Sequence, residues 1–291
     1  MSEDITALER KLALGKGVRI LKTDPCGLIA LEKPPGIKSH PNDSKASEHC
    51  LINAEYDMNE RRYYNLVGED CFDEVFLIHR LDSATSGVIL ICKSLEVQDA
   101  AQESFQRKRV KKLYQAIVKG RPRISHKTWI DRIERKGEVH VRTHAGDSKT
   151  AQTDYNLLRM DDNRFDLALL LLQPVTGRTH QLRYQCKKHG HPILGDRNYG
   201  DFSFNKRFSK ILEAKRLFLH ASSIEIDLFK GDRRTVFSAE SELPEAFNQI
   251  LSFDKELQKK LNTITPSEII RIQQQRIGRV PPPTKHRRHK K

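Results

Sequence analysis

Cysteines and long apolar runs are scarce in this chain. Its five cysteines are odd in number and scattered, and no two of them form a Cys-x-x-Cys pair. Neither a disulfide framework nor a structural zinc site is therefore expected. No uninterrupted apolar run approaches the roughly 20 residues that a helix needs to span a bilayer, and the first 17 residues contain no apolar signal-peptide core. We expect a soluble, cytoplasmic protein without a metal, a cofactor or a membrane partner.

Acidic residues are absent from the end of the chain. Residues 276–291 contain seven Lys or Arg and no Asp or Glu, and they carry half of the formal net charge of +14. Such tails bind polyanions through counterion release and do not read a base sequence. An anionic membrane is the weaker alternative, because no amphipathic anchor adjoins the tail. The charge distribution favours a nucleic-acid partner.

The sequence has no internal repeats and no regular alternation of strands and helices, which argues against a repeat protein and against a fold built from βαβ units. Short segments of alternating polarity are joined by the turn signals TDPCG, RMDDN and KGDRR. Strands are predicted between residues 128 and 174 in TWIDRIE, EVHVRTH, TAQTDYNLL and RFDLALLLLQP. The pattern predicts an α+β fold with a mixed, largely antiparallel central sheet flanked by helices and loops. We expect one catalytic-size domain over residues 1–255 and a polar helical, then basic and Pro-rich tail over residues 256–291.

Two helices follow from local signals. Ser94 is a predicted N-cap, because Val97, Ala101 and Phe105 follow it at i, i+4 spacing. A second, shorter helix is predicted after the loop at residues 176–180, with Thr179 as its cap. Its buried stripe is expected to contain Leu182, Cys186 and His189, so that Arg183 points away from the stripe.

The segment HRLDSATSG, residues 79–87, joins two apolar runs and is the first candidate site. A turn alone would explain Asp82, because Asp side chains often bond to the backbone of a turn. However, Arg80 precedes this acid, and Thr85, Ser86 and Gly87 follow it. Small hydroxyl residues and a glycine allow a ligand to approach the backbone closely, so the composition favours a ligand site.

Two more positions have both a structural and a functional explanation. Tyr114 alternates with Ala116 and Val118 on a predicted strand, so its ring faces inward either as a core residue or as part of a site. Arg183 is either surface charge or a group that binds an anion. In the second explanation, Gly177, Arg178, Thr179 and His180 add a flexible turn and a helix N-terminus suited to a polyanion.

Taken together, these segments resemble the RluA-type family of RNA pseudouridine synthases. HRLDSATSGVILICKS is similar to the family's HRLDxxTSG signature, KKLYQAIVKG to its KxYxAxVxG element, and TGRTHQLRYQCKKHGHPILGDRNYG to its TGRTHQIR…GHPIxGDxxYG element. EKPPGIKSH and RLFLHASSIEI resemble the KPxGxxxH loop and the late LHA strand. The five segments lie in the family's order between about residues 18 and 230.

The resemblance implies the pseudouridine synthase catalytic fold and a role for each candidate residue. Asp82 is the implied catalytic carboxylate, Tyr114 the aromatic residue that lies against uracil and removes a proton, and Arg183 the ion partner of Asp82. Arg80 is implied to enter the RNA stack where the target base has left. The remaining implied RNA contacts are Lys33, Thr85, Arg178, Thr179 and His180. A cofactor-free monomer that isomerises uridine in ribosomal or transfer RNA is expected.

Two other function classes remain open at this point. A non-catalytic RNA-binding or ribosome-assembly protein on the same fold would keep the basic surface without needing Asp82. A hydrolase that uses His79 or His180 with Asp82 would cleave the strand, and it usually needs a metal or a second acid nearby. The sequence has no acidic or cysteine partner at metal spacing from its histidines.

Overall fold

A computed structural model describes residues 5–42, 45–68, 70–133, 149–160, 166–206, 216–231 and 233–251. The helices are α1 (Ile5–Lys11), α2 (Leu95–Gln106), α3 (Gln181–Lys188) and α4 (Glu245–Leu251), and residues 202–206 are also helical. The strands are β1 (Arg19–Thr23), β2 (Leu28–Lys33), β3 (Glu55–Asp57), β4 (Arg62–Tyr64), β5 (Glu74–Leu77), β6 (Ser86–Cys92), β7 (Val110–Lys119), β8 (His126–Ile133), β9 (Lys149–Met160), β10 (Leu167–Pro174), β11 (Leu219–Lys230) and β12 (Arg233–Glu240). The predicted strand EVHVRTH and the predicted domain boundary at residue 255 lie outside the described residues.

The described strands belong to one sheet of mixed direction. Its main path runs β3-β4-β5-β6-β11-β7-β10-β9-β8, while β2 pairs with β1 and β6, and β12 pairs with β11. The β6–β11 pair is parallel, and every other described pair is antiparallel. The predicted α+β class with a largely antiparallel sheet is confirmed.

Local sequence signals form several of these elements as predicted. The TDPCG turn joins β1 to β2 with Gly27 at a φ of 97°, and the hairpins β9–β10 and β11–β12 also form. The Ser94 side chain accepts a hydrogen bond from the Val97 amide and caps α2. Val97 and Ala101 are then buried against the sheet, so the polar cap and the apolar stripe specify the same helix.

The helix α3 departs from its prediction at two points. Its N-cap is His180 in a left-handed conformation, with a φ of 53° and no side-chain capping bond, whereas Thr179 is exposed. Arg183 is buried together with Leu182 and Cys186. The prediction assumed that only one side of the helix is buried. Arg183 lies on another side and is buried as well, because it pairs with Asp82 and Asp196 of other segments.

A close contact between β6 and β11 positions the loop that carries Asp82. Gly87 pairs with Ala221 in the parallel ladder at a φ of 111°. A Cβ atom at this glycine would lie 2.2 Å from the Ala221 carbonyl oxygen. Only glycine permits this approach, which brings the end of the 79–87 loop next to β11 and the neighbouring β7.

In the described part of the chain, no helix combines the length and the apolar character that a membrane crossing requires.

Candidate active site

A cleft of about 870 Å³ opens beside the loop between β5 and β6. Clefts that hold small ligands usually measure roughly 300–1,000 Å³, so this one can receive a nucleotide. Asp82, Tyr114 and Arg183 all line it. Asp82 is the one acidic residue among the described lining residues, whereas the basic ones besides Arg183 are Lys38, Arg61, Arg80, Lys112 and Arg178.

A buried arginine joins two carboxylates at the base of this cleft. Arg183 Nη1 donates to Asp82 Oδ2 at 2.9 Å. Its Nε and Nη2 donate to Asp196 Oδ2 and Oδ1 at 2.7 and 2.9 Å, which is a bidentate pair. The Asp196 side chain is fully buried, while that of Asp82 keeps 27% exposure toward the cleft. The arginine is therefore held from behind by Asp196 and presents one donor to Asp82.

Asp196 belongs to the candidate site through its bonds to Arg183, although no role was predicted for it from the sequence. Its Oδ1 also accepts hydrogen bonds from the amides of Asn198 and Tyr199 at 2.8 and 3.0 Å. Burial acts to raise the pKa of Asp196, but the bonds from Arg183 and the two amides outweigh burial and lower it. In the sequence, Asp196 stands in GDRNYG, the end of the segment that resembles the family's TGRTHQIR…GHPIxGDxxYG element. That resemblance could have marked it as a site residue.

Electrostatics keep Arg183 charged. Burial acts to lower the pKa of Arg183, but hydrogen bonds and charges from Asp196 and Asp82 raise it above its ordinary value. The guanidinium also lies over the Tyr199 ring, with Cζ 5.3 Å from the ring centre. A permanent positive charge beside Asp82 offsets part of the desolvation cost of an ionised carboxylate in the cleft.

The expected RNA contact by Lys33 is wrong. Lys33 is fully buried, and its Nζ donates to the carbonyls of Pro34, Ile37 and Ser83 at 3.1, 2.7 and 3.1 Å. Burial lowers the pKa of Lys33 to about 7, against the opposite effect of the nearby Asp82 charge. All three N–H donors of Lys33 bond to carbonyls inside the protein and connect the loop after β2 to the loop that carries Asp82. No donor of Lys33 is left for a phosphate.

A second set of hydrogen bonds connects the same two loops. The buried Ser39 hydroxyl donates to the Leu81 carbonyl at 2.7 Å and accepts from the Leu81 amide at 3.0 Å. The Tyr63 hydroxyl donates to the Ser39 carbonyl. Asp82 therefore follows directly after a residue whose backbone is held on both sides, which restricts where its carboxylate can lie.

Tyr114 contributes a neutral phenol to the cleft. It lies on β7 opposite Ala221 of β11 and Leu172 of β10, and its ring packs against two apolar clusters. Burial raises the pKa of Tyr114, and the Asp82 charge raises it further. The phenol is therefore protonated at neutral pH in the free protein. In that state it can pack against a base and donate a hydrogen bond, whereas accepting a proton requires its pKa to fall when RNA binds.

Arg80 is exposed at the wall of the cleft, where its guanidinium group contacts the ring of His40. Its Nη1 donates to His40 Nε2 at 3.2 Å, and His40 Nδ1 donates to the Pro41 carbonyl at 2.7 Å. Burial lowers the pKa of His40, and the neutral ring can accept at Nε2. His40 in turn stacks on Tyr56 at a ring distance of 4.8 Å. The stacked pair orients Arg80 without neutralising its charge.

The remaining predicted RNA contacts differ in exposure. Arg178 and Thr179 are exposed on the loop before α3, and Arg178 Nε donates to the Thr150 carbonyl at 3.3 Å. His180 Nε2 lies 3.8 Å from Asp82 Oδ2. Thr85 also lines the cleft but is 2% exposed. It is therefore accessible only to a group that enters the cleft.

His79 is unsuited to acid–base catalysis. Its Nε2 accepts a hydrogen bond from the Leu90 amide at 3.1 Å. Burial lowers the pKa of His79 to about 3, so the ring stays neutral and one nitrogen is occupied. Across the described residues, no group of three or more His, Cys, Asp or Glu side chains is arranged to hold a metal ion.

Comparisons with known proteins identify the family of the chain. A family model described as RNA pseudouridylate synthase matches residues 27–188. Ribosomal large subunit pseudouridine synthase D of Borreliella burgdorferi is 34% identical over 228 residues, which cover 77% of this chain and 65% of that protein. The tRNA pseudouridine synthase C of Haemophilus influenzae is 34% identical over 209 residues, which cover 68% of this chain and 82% of that protein.

A solved structure shows the same fold. Human RNA Pseudouridylate Synthase Domain Containing 4 superimposes with a TM-score of 0.58 and 25% identity, covering 84% of this chain and 95% of the human chain. The chain belongs to the RNA pseudouridylate synthase family, whose enzymes are isomerases that convert uridine to pseudouridine in RNA. The predicted family is confirmed.

Proposed function

We propose that this chain isomerises uridines in structured ribosomal or transfer RNA to pseudouridine, with Asp82 as the catalytic carboxylate. The observation that carries the proposal is the Asp82 carboxylate held at 2.9 Å by the buried Arg183, in a cleft whose other described charged residues are basic. The two named bacterial relatives act on ribosomal RNA and on transfer RNA, and both substrates are part of the proposal.

The reaction needs a group of this kind. The N1–C1′ bond breaks, the base turns within the site, and C5 bonds to C1′; C5 then loses its proton and N1 gains one, so no redox step or external group is required. The Asp82 carboxylate can attack the sugar, attack the base or stabilise a cationic sugar. Each of these roles needs an ionised carboxylate that is shielded from water, and Arg183 supports that state.

The cleft has room for a base that has left the RNA stack. Flipping a nucleotide costs a few kcal/mol, and least where the base is already unpaired. Loops and stem ends are therefore cheaper targets than a continuous helix. The exposed cations Lys38, Arg61 and Arg178 at the cleft can offset this cost by phosphate contacts. Arg80 is placed to fill the space left by the base, and the basic tail adds attraction without specificity.

A non-catalytic RNA-binding protein is the weaker candidate. Phosphate binding needs cations on the surface, whereas Arg183 and Asp196 are buried and hold the half-exposed Asp82 at the cleft. A buried charged network is costly even when it is paired, and binding phosphates does not require one. A hydrolase is weaker still, because the Nε2 atom of His79 is bonded to the backbone and no second acid is found among the described lining residues of the cleft to act with His180 and Asp82.

Replacing Asp82 with asparagine tests the proposal. Asp82→Asn is expected to bind RNA within a few-fold of the wild type, since the cations remain, and to form no pseudouridine. The matched control is Asp227→Asn, a half-buried carboxylate that pairs with the exposed Arg234 on the β11–β12 hairpin, and this variant is expected to retain activity. The assay maps pseudouridine in total RNA with and without the gene, and also follows strand integrity.

Product formation by Asp82→Asn would refute the catalytic role. Loss of RNA binding in this variant would reassign Asp82 to a structural role, and strand cleavage by the wild type would favour the hydrolase.

A further inference from the structure

Lys112 shares the active-site cleft with Tyr114. It lies two residues before Tyr114 on β7, so both side chains leave the strand on the same face. Both residues line the cleft. Their Cα atoms are about 7 Å apart along an extended strand, which is a span that one nucleotide covers between its base and its backbone.

This lysine is half-buried and has no acidic partner among the described residues. Its Nζ lies 5.6 Å from the centre of the Phe105 ring, and no described residue accepts a hydrogen bond from it or pairs with it. Burial lowers the pKa of Lys112. Two other lysines show the contrast: the buried Lys33 donates to three carbonyls, and the adjacent Lys111 pairs with Glu225 at 3.2 Å.

The ammonium group is half-buried at the cleft and has no acceptor among the described residues. Partial burial of a charge is unfavourable until an opposite charge joins it, and the anions that RNA supplies are phosphates. The cleft supplies the space for one, since both Lys112 and Gly177 line it and a Cβ atom at Gly177 would lie 3.7 Å from Nζ, so this loop forms the cleft wall beside the ammonium group. The exposed Arg178 follows directly on the same loop.

We propose that Lys112 binds the backbone phosphate directly adjacent to the flipped uridine, between β7 and the loop at Gly177. The inference rests on the proposed function, because it places the uridine against Tyr114. Lys112 would then hold the nucleotide by its backbone while the base turns. The outer cations, by contrast, contact phosphates farther along the strand.

The first test compares two adjacent lysines of β7. RNA binding is measured in the Asp82→Asn background, so that no product forms. Lys112→Met is expected to weaken binding by about 10-fold or more, as for a lost bond between charged groups. It should also make the salt dependence shallower by about one phosphate contact. Lys111→Met is the matched control and is expected to change neither, while Lys112→Arg should retain most of the affinity.

The second test removes the charge from the RNA instead. Two oligonucleotides carry a neutral methylphosphonate on the 5′ or the 3′ side of the target uridine. One of these replacements is expected to weaken binding by the Asp82→Asn protein as much as Lys112→Met does in the same background, with no further loss when the two changes are combined. Lys112→Gln takes the place of the methionine variant if the latter does not fold.

The outcomes separate this inference from the proposed function. Fully additive losses, or wild-type affinity and salt dependence in Lys112→Met, would overturn the role of Lys112 even if the wild type makes pseudouridine. Absence of pseudouridine with the wild-type protein would instead overturn the proposed function, whatever Lys112 binds.

Discussion

Substitution of Asp196 tests whether the buried arginine needs its second carboxylate. Asp196 accepts two hydrogen bonds from Arg183 and two from backbone amides, and its side chain is fully buried. Removing one partner of a buried ion pair costs about 3–5 kcal/mol, because the other charge is left uncompensated. Asp196→Ala is expected to lose about this much of the free energy of unfolding, which is a large share of the usual 5–15 kcal/mol.

Asp196→Asn separates stability from catalysis. The asparagine keeps an oxygen for the two amides but turns an NH₂ group toward Arg183 Nε, so one charged bond is lost, at about 1.5–3 kcal/mol. Arg183 then shifts, and the Asp82 carboxylate shifts with it. A displacement of about 1 Å in a catalytic group can cost about 100-fold in rate. We expect kcat to fall by about this factor while RNA affinity stays near that of the wild type.

Urea denaturation and single-turnover pseudouridine formation measure the two effects separately. Asp227→Asn, which removes the ion pair of a half-buried carboxylate with the exposed Arg234 outside the described cleft lining, is the matched control and is expected to change little in either assay. Wild-type rate and stability in Asp196→Asn would show that Arg183 holds Asp82 without a second carboxylate, and the reasoning would be refuted.

Two further predictions concern a buried acid and a close backbone contact. Hydrogen bonds from Lys188, Gln185 and His189 outweigh the opposing effect of burial and lower the pKa of Asp131 to about 2, so its stabilisation is present above about pH 4 and is lost as the pH falls toward 2. Asp131→Asn is therefore expected to unfold at lower urea than the wild type at pH 7, and a gap that persists unchanged at pH 2 would contradict this. Gly87→Ala places a Cβ atom 2.2 Å from a carbonyl oxygen, whereas Gly36→Ala, also at positive φ, meets nothing within 4 Å. Thermal unfolding should show a much larger loss for Gly87→Ala; equal losses would assign both effects to backbone strain alone.

Much of the local structure was predictable because its causes lie within a few residues. The Ser94 cap, the apolar stripe of α2 and the hairpin turns depend on neighbours in sequence. Three residues that line the cleft, Asp82, Tyr114 and Arg183, could be named as candidates because each stands in a recognisable segment. The α+β class followed from the irregular order of these short elements.

The charge state and the partners of those side chains were decided only by the tertiary structure. Arg183 and Asp82 are 101 residues apart in sequence, and Ser83 and Lys33 are 50 residues apart. No local pattern distinguishes a lysine in solvent from Lys33, whose three donors are bound inside the protein, or from Lys112, which has no described acceptor. The cost of burying a charge depends on which distant groups reach it, because water no longer supplies the hydrogen bonds. Sequence alone therefore indicated Asp82, Tyr114 and Arg183 as the centre of the candidate site, and the packing of distant segments determined which charges around them are available to a ligand.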